Sequence, residues 1–130
     1  MAVYLDTSAL VKLVVREAES AALRTWLGER GDPLTTSVLG HTELIRAVRR
    51  VAPELLDQAH AVLDALYVLA LPPVAFQLAA GVSPAELRSL DALHLVGAQQ
   101  LGDELTAFVS HDPRLAAAAS AVGMPVAAPA

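Results

Sequence analysis

No cysteine occurs in the 130-residue chain. That absence excludes a disulfide framework and any thiolate zinc or iron–sulfur centre, and it fits a reducing, cytoplasmic setting. Aromatic residues are scarce at 4%, so platforms for stacking nucleic-acid bases are sparse. The longest apolar stretches, 65–76 and 115–130, are short or diluted by Ala, Ser, Gly and Pro. Neither approaches the ~18–20 strongly apolar residues of a membrane span, and no membrane association is expected. No basic region precedes the first apolar run, and Asp6 interrupts that run, so a secretory leader is not expected. A Gly-rich phosphate loop and a Gly-x-Ser-x-Gly elbow are both missing. Nine Lys and Arg against 14 Asp and Glu give a formal charge of −5, which argues against a simple basic nucleic-acid-binding module. An enzyme acting on nucleic acid stays open, because bound metal ions can invert the sign of an acidic site.

What remains is a chain that is 55% apolar and 18% charged, far too apolar for disorder and of a length for one domain spanning 1–130. Short apolar runs alternate with helical patterns. Residues 2–5 are continuously apolar, as a strand buried on both faces should be. Helical spacing follows near 9–15 and 18–29, with Leu23, Trp26 and Leu27 on one stripe, and Gly28, Gly31 and Pro33 close the pair. A second strand is expected over 34–38, with Ser37 capping a helix that runs to about 51. Pro53 should start a helix over 54–69, and a short strand is expected just before or through Val74. Ser83-Pro84-Ala85-Glu86 reads as a helix start, for a helix reaching about 101. A strand over 105–109, a helix opened by Asp112-Pro113 and a last strand over 125–128 complete the pattern. Strands alternating with helices imply a parallel sheet between helical layers.

Four carboxylates sit where this architecture converges. Asp6 ends the first strand and Asp112 follows a later one, and the carboxyl ends of parallel strands form the ligand crevice of open α/β sheets. Glu43 lies in the second turn of the helix after strand two. Asp91 is expected about two turns into the helix that starts at Ser83, bordered by Leu87, Arg88, His94 and Leu95. An ionised carboxylate against an apolar stripe is costly unless it is paired or metal-bound. An all-oxygen donor set favours Mg²⁺ or Mn²⁺ over zinc, and one or two such ions would serve in-line displacement at a phosphodiester. Each acid also has a simpler reading. Asp6 and Asp112 can cap helices, Glu43 can pair with Arg46, and Asp91 can pair with Arg88 or His94. His94 reads as a packing or hydrogen-bonding residue, His111 as a flank of the site and His60 as a surface residue. The apolar excess on the first helix and over 55–66 is either core or a partner groove.

Tyr4-Leu5-Asp6-Thr7-Ser8-Ala9-Leu10, Thr36-Ser37 with Glu43-Leu44, Leu90-Asp91-Ala92-Leu93-His94-Leu95 and Val109-Ser110-His111-Asp112-Pro113-Arg114-Leu115 resemble, in order, the four signature blocks of a PIN domain. The order, spacing and length are similar to those of the toxin subunit of VapBC toxin–antitoxin modules, over essentially the whole chain. The resemblance implies a three-layer α/β/α sandwich with a central parallel sheet. It implies a metal-dependent endoribonuclease, the toxin of a type II toxin–antitoxin system, in which metal-activated water is the nucleophile. Carried over residue by residue, Asp6, Glu43, Asp91 and Asp112 match the family's acidic quartet, both catalytic and metal-ligating. Ser8 and Ser110 match its supporting hydroxyls. Mg²⁺ or Mn²⁺ is the implied cofactor, and RNA, a cognate antitoxin protein and a second copy of the chain are the implied partners.

Setting aside the quartet leaves 14 − 4 = 10 acids against nine bases, a nearly neutral remainder. Arg46, one turn from Glu43, and Arg88 and Arg114 beside Asp91 and Asp112 are candidate RNA contacts. A solvated helix face is the competing reading for Arg49 and Arg50. Two other functions compete with the nuclease. A catalytically inactive PIN-fold binding module would be favoured by loss of a quartet acid, and all four are present. A haloacid-dehalogenase-like phosphatase wants a second Asp two residues after the first, where this chain has Ser8.

Overall fold

The computed structural model describes residues 1–130, and its centre is the strand expected at the start of the chain. Strand β1 (Ala2–Leu5) is buried throughout. Val3 and Leu5 face one hydrophobic cluster, while Tyr4 faces the other. A strand with apolar side chains on both faces must be covered on both faces, which dictates three layers. Helices α1 (Thr7–Val14), α2 (Ser20–Arg30), α3 (Val38–Val51) and α4 (Leu56–Asp64) supply the first cover. Helices α6 (Ser89–Gln99) and α7 (Pro113–Ala121) supply the second, with the short α5 (Pro73–Ala79) packed on α6.

The other strands are β2 (Leu34–Ser37), β3 (Tyr67–Leu69), β4 (Leu105–Val109) and β5 (Val126–Ala127). All pairings are parallel, in the order β3-β2-β1-β4-β5. The chain first winds outward from β1 through β2 to β3, then returns to place β4 on the other side of β1. The order therefore reverses between β1 and β4, and ligand crevices of open α/β sheets form outside the strand ends at such a point.

Local signals place most of these elements where the sequence puts them. Ser37 caps α3, accepting from the Gly40 N–H at 3.4 Å. Gly40 is required there: a Cβ would collide with Thr36 Oγ1, a hydroxyl held by its own bond to the Leu5 carbonyl at 2.8 Å. Gly31 ends α2 in the left-handed conformation, φ 69°.

The middle of the chain departs from expectation. The helix expected over 54–69 is a 3₁₀ turn, Pro53–Leu55, followed by α4, which stops at Asp64. The residues beyond it form the edge strand β3 instead, because Tyr67, Val68 and Leu69 pair with Thr35, Thr36 and Ser37. The strand thus lies upstream of Pro72-Pro73 rather than through Val74, and Pro73 opens α5. Ser83 starts no helix. The stretch 83–88 turns, with the Leu87 N–H donating to the Pro84 carbonyl at 3.0 Å, and tucks Leu87 against the second cluster. Arg88 is extended (φ −68°, ψ 151°), so α6 begins only at Ser89. Asp91 consequently lies in the first turn of α6 and not two turns into a longer helix. The apolar excess on α1 and over 55–66 is spent on the first cluster, where Leu10, Val14 and Leu63 are buried and Val11, Leu13, Val15, Leu55, Leu56, Val62 and Leu66 pack against it.

Candidate active site

At the switch point the β1–β4 ladder runs directly into the first acid, whose backbone N–H donates to the Val109 carbonyl at 3.2 Å. Asp6 is 3% exposed. Its Oδ1 accepts from the Ser8 hydroxyl (2.7 Å) and the Ala9 N–H (3.0 Å), and its Oδ2 accepts from the Ser110 hydroxyl (2.6 Å). Each serine is also an acceptor: Ser8 from the His111 N–H at 2.9 Å, Ser110 from the Asp112 N–H at 3.1 Å. The two hydroxyls therefore bind one carboxylate to both ends of the loop after β4. Burial raises the Asp6 pKa above the ordinary carboxylate value, opposed by the three donors and by His94.

Glu43 stands on α3 with its side chain 25% exposed. Its Oε1 accepts from the Thr7 hydroxyl at 2.5 Å and lies 2.6 Å from His94 Nε2. A carboxylate only accepts, so Nε2 carries a proton. The other ring nitrogen is 2.9 Å from the Tyr4 hydroxyl, which reaches Ser37 Oγ at 3.0 Å. Ser37, Tyr4 and His94 are all buried, so a continuous internal network orients Glu43 from beneath. Burial pushes the Glu43 pKa up, but the bonds from His94 and Thr7 and the charges of His94 and Arg88 outweigh it and leave the value lowered. Burial keeps the Tyr4 phenol protonated well above its ordinary range.

Asp91 and Asp112 meet on one cation. Arg88 Nε is 3.2 Å from Asp91 Oδ2, and a terminal nitrogen of the same guanidinium is 3.8 Å from Asp112 Oδ2. The Arg88 charge also helps lower the Glu43 pKa, though its ion pairs are with Asp91 and Asp112 alone. Asp112 caps α7, its Oδ1 accepting from the Arg114 N–H at 2.9 Å. Asp6 caps α1. Both capping roles weighed from the sequence are therefore real, and the positive ends of α1 and α7 face the acids they hold. Glu43 does not pair with Arg46; its partners are Thr7 and His94.

The donor chemistry, carboxylate oxygens throughout, fits a hard divalent cation. Glu43 Oε2 and Asp91 Oδ1 accept no hydrogen bond within the chain. As the side chains stand, however, no three His, Asp or Glu residues are gathered to ligate a common ion. Asp91 and Asp112 are engaged by Arg88 instead.

Other residues fall outside the cluster. His111 turns to the C-terminal segment, its Nε2 2.8 Å from the Pro129 carbonyl. Arg114 is exposed and lines an apolar concavity with Pro84, Leu87 and Ala118. Arg46, Arg49 and Arg50 together line a shallow concavity of about 340 Å³ on α3. Sequence reasoning missed Thr7 and Tyr4, which read locally as a helix-start residue and a strand residue. Only their long-range partners reveal them, and no spacing signal announces such partners.

The PIN domain family matches residues 3–121. Ribonuclease VapC47 of Mycobacterium tuberculosis (strain CDC 1551 / Oshkosh) is 45% identical over 131 residues, covering 98% of this chain and 96% of its own. Among solved structures, Mycobacterium tuberculosis VapC20, a Sarcin-Ricin loop cleaving toxin, superposes with a TM-score of 0.77 at 16% identity over 98% of this chain and 99% of its own. VapBC2 from Rickettsia felis, bound to a DNA fragment from its promoter, gives 0.71 at 12% identity over 100% of each chain. At such identities the two structures speak for the fold alone.

Proposed function

This chain belongs to the PIN domain family, and from that premise we propose that it is a divalent-metal-dependent endoribonuclease, the toxin of a type II toxin–antitoxin pair. The observation that supports the reading is the arrangement at the switch point: Asp6 is tied through Ser110 to the loop that carries Asp112, Arg88 bridges Asp91 and Asp112, and Glu43 is bonded to Thr7 next to Asp6. The ribonuclease names of relatives at 42–45% identity support RNA as the substrate class.

In this reading the quartet holds Mg²⁺ or Mn²⁺, which when bound activates water and neutralises charge developing on the phosphodiester. The chain's own groups do the rest. Ser8 and Ser110 fix the orientation of the Asp6 carboxylate, and His94 and Thr7 do the same for Glu43. Preorganised donors cost no rearrangement when the reaction occurs. Arg46, with Arg49 and Arg50 beyond it, offers charge-assisted contacts to the RNA backbone. A phosphatase of the haloacid dehalogenase type is disfavoured, because Ser8 commits its hydroxyl to Asp6 and offers no second carboxylate.

A cognate antitoxin, a second copy of the chain and a cytoplasmic setting follow from the same reading. No helix is long and apolar enough to cross a membrane. The exposed apolar residues Tyr67 and Val68 on β3 and Val74, Phe76 and Leu78 on α5 are where a protein partner would find purchase.

The test is cleavage of total cellular RNA by the partner-free protein in Mg²⁺ or Mn²⁺. Wild type should cut, and excess chelator should stop it. Asp6→Asn and Asp91→Asn should each lose at least about a hundredfold in rate, roughly 2.7 kcal/mol of transition-state stabilisation. Unimpaired cleavage by both variants would sink the assignment.

A further inference from the structure

One cation of the chain stands among acids that, in the reading above, hold a metal. Arg88 bridges Asp91 and Asp112 at 3.2 and 3.8 Å, its charge extends to Glu43, and its side chain is 76% exposed on an otherwise free stem. The remaining partners of the acids are of a different kind. Ser110 is fully buried, His94 is 2% exposed, and Ser8 and Thr7 are short, half-buried side chains fixed on α1. Those groups cannot leave without unfolding their surroundings, whereas Arg88 can swing into water.

We propose that Arg88 is a resident counter-cation: it neutralises Asp91 and Asp112 when no ion is present and must be displaced before a divalent cation can collect the quartet. The proposal rests on the metal-dependent reading and adds the competition that governs it. It accounts for two facts together. The donor set suits a hard cation, yet no three acids converge while the guanidinium occupies two of them. A displaced Arg88 remains beside the crevice on the extended residue before α6, within reach of a bound phosphate group.

The geometry predicts the size of the effect. An exposed ion pair is weak, and a unit positive charge beside a divalent ion in a well-hydrated site repels it modestly. Removing the charge should tighten divalent binding by about three- to tenfold. Calorimetric titration of the RNA-free protein with Mn²⁺ reads this directly, without reference to cleavage. Arg88→Gln should bind three- to tenfold more tightly than wild type. Arg88→Lys, which keeps the charge, should stay within about twofold. Arg16→Gln, on the exposed segment after the far end of α1, controls for net charge and should also stay within about twofold. Equal or weaker binding by Arg88→Gln overturns the proposal while leaving the metal-dependent reading intact. Tightening of the same size in Arg88→Lys or Arg16→Gln overturns it as well. If no variant and no wild-type sample binds Mn²⁺ at millimolar concentration, the metal-dependent reading fails and this proposal fails with it.

Discussion

Replacing Ser110 by alanine removes one hydroxyl from the middle of the site. Ser110 has no exposed surface, donates to Asp6 Oδ2 at 2.6 Å and accepts from the Asp112 N–H at 3.1 Å. Alanine leaves a buried carboxylate oxygen with no donor, because the remaining two donors both serve Oδ1. A hydrogen bond to a charged group contributes about 1.5–3 kcal/mol, and a stranded amide adds about 1 kcal/mol where water cannot reach it. The expected loss is therefore about 3 kcal/mol of unfolding free energy at neutral pH, a large share of a typical domain's stability. For a chain of this size the melting temperature should fall by roughly 10 °C. Urea unfolding in chelator measures the loss without any metal contribution. A double-mutant cycle with Asp6→Asn isolates the hydrogen bond and should return a coupling of about 1.5–3 kcal/mol. A loss below about 0.5 kcal/mol for Ser110→Ala, or no coupling in the cycle, would refute the view that this hydroxyl holds the buried carboxylate.

Two further expectations follow from other parts of the molecule. Gly40→Ala drives a Cβ into Thr36 Oγ1, which its bond to the Leu5 carbonyl holds in place, so α3 must shift and stability should fall by about 2 kcal/mol or more in urea unfolding. Replacing both Arg49 and Arg50 by alanine should leave the fold unchanged but flatten the dependence of log RNA affinity on log salt by about 1.4, roughly 0.7 for each phosphate that is no longer neutralised; an unchanged slope would show that the α3 arginines do not touch RNA.

How far the sequence carries depends on where each element's signal resides. β1, β4, α3 and α7 announce themselves through neighbours in the chain: an unbroken apolar run, a serine before a helical stripe, Asp-Pro at a helix start. The positions of Asp6 and Asp112 are legible for the same reason, since each closely follows a largely buried strand. β3 is not legible. Leu66 to Leu69 sits inside an apolar stretch with no periodicity to separate helix from strand, and its fate is settled by pairing with β2, some thirty residues away. The Ser83-Pro84-Ala85-Glu86 start is locally sound but is overridden by Leu87, which packs into the second cluster, and by the extended Arg88. The network beneath Glu43 joins Tyr4, Thr7, Ser37 and His94 across sequence separations of 33 to 90 residues. Ser37 announces itself only as a helix cap and His94 only as a packing or hydrogen-bonding residue, while Tyr4 and Thr7 carry no distinctive pattern of their own.

Collecting negative charge at one end of a sheet works against folding, and the ways this chain meets that cost differ in kind. Asp6 is held by the Ser8 and Ser110 hydroxyls and a helix N-terminus, Glu43 by a buried imidazole, Asp112 by the first turn of α7, and Asp91 together with Asp112 by an exposed guanidinium. Helix ends and buried hydroxyls are fixed dipoles: they stabilise carboxylates without occupying the solvent-facing side of the crevice. An incoming cation would not have to displace them. The guanidinium is a mobile unit charge, and whatever enters must compete with it. Asp6 and Glu43 are thus set by the protein interior, while Asp91, and the one oxygen of Asp112 that its helix cap leaves free, are met by a side chain that can leave. The two halves of the quartet should therefore respond differently to mutation. Changes beneath Asp6 or Glu43 should register first as lost stability, whereas changes at Arg88 should register first as altered ion affinity with the fold intact.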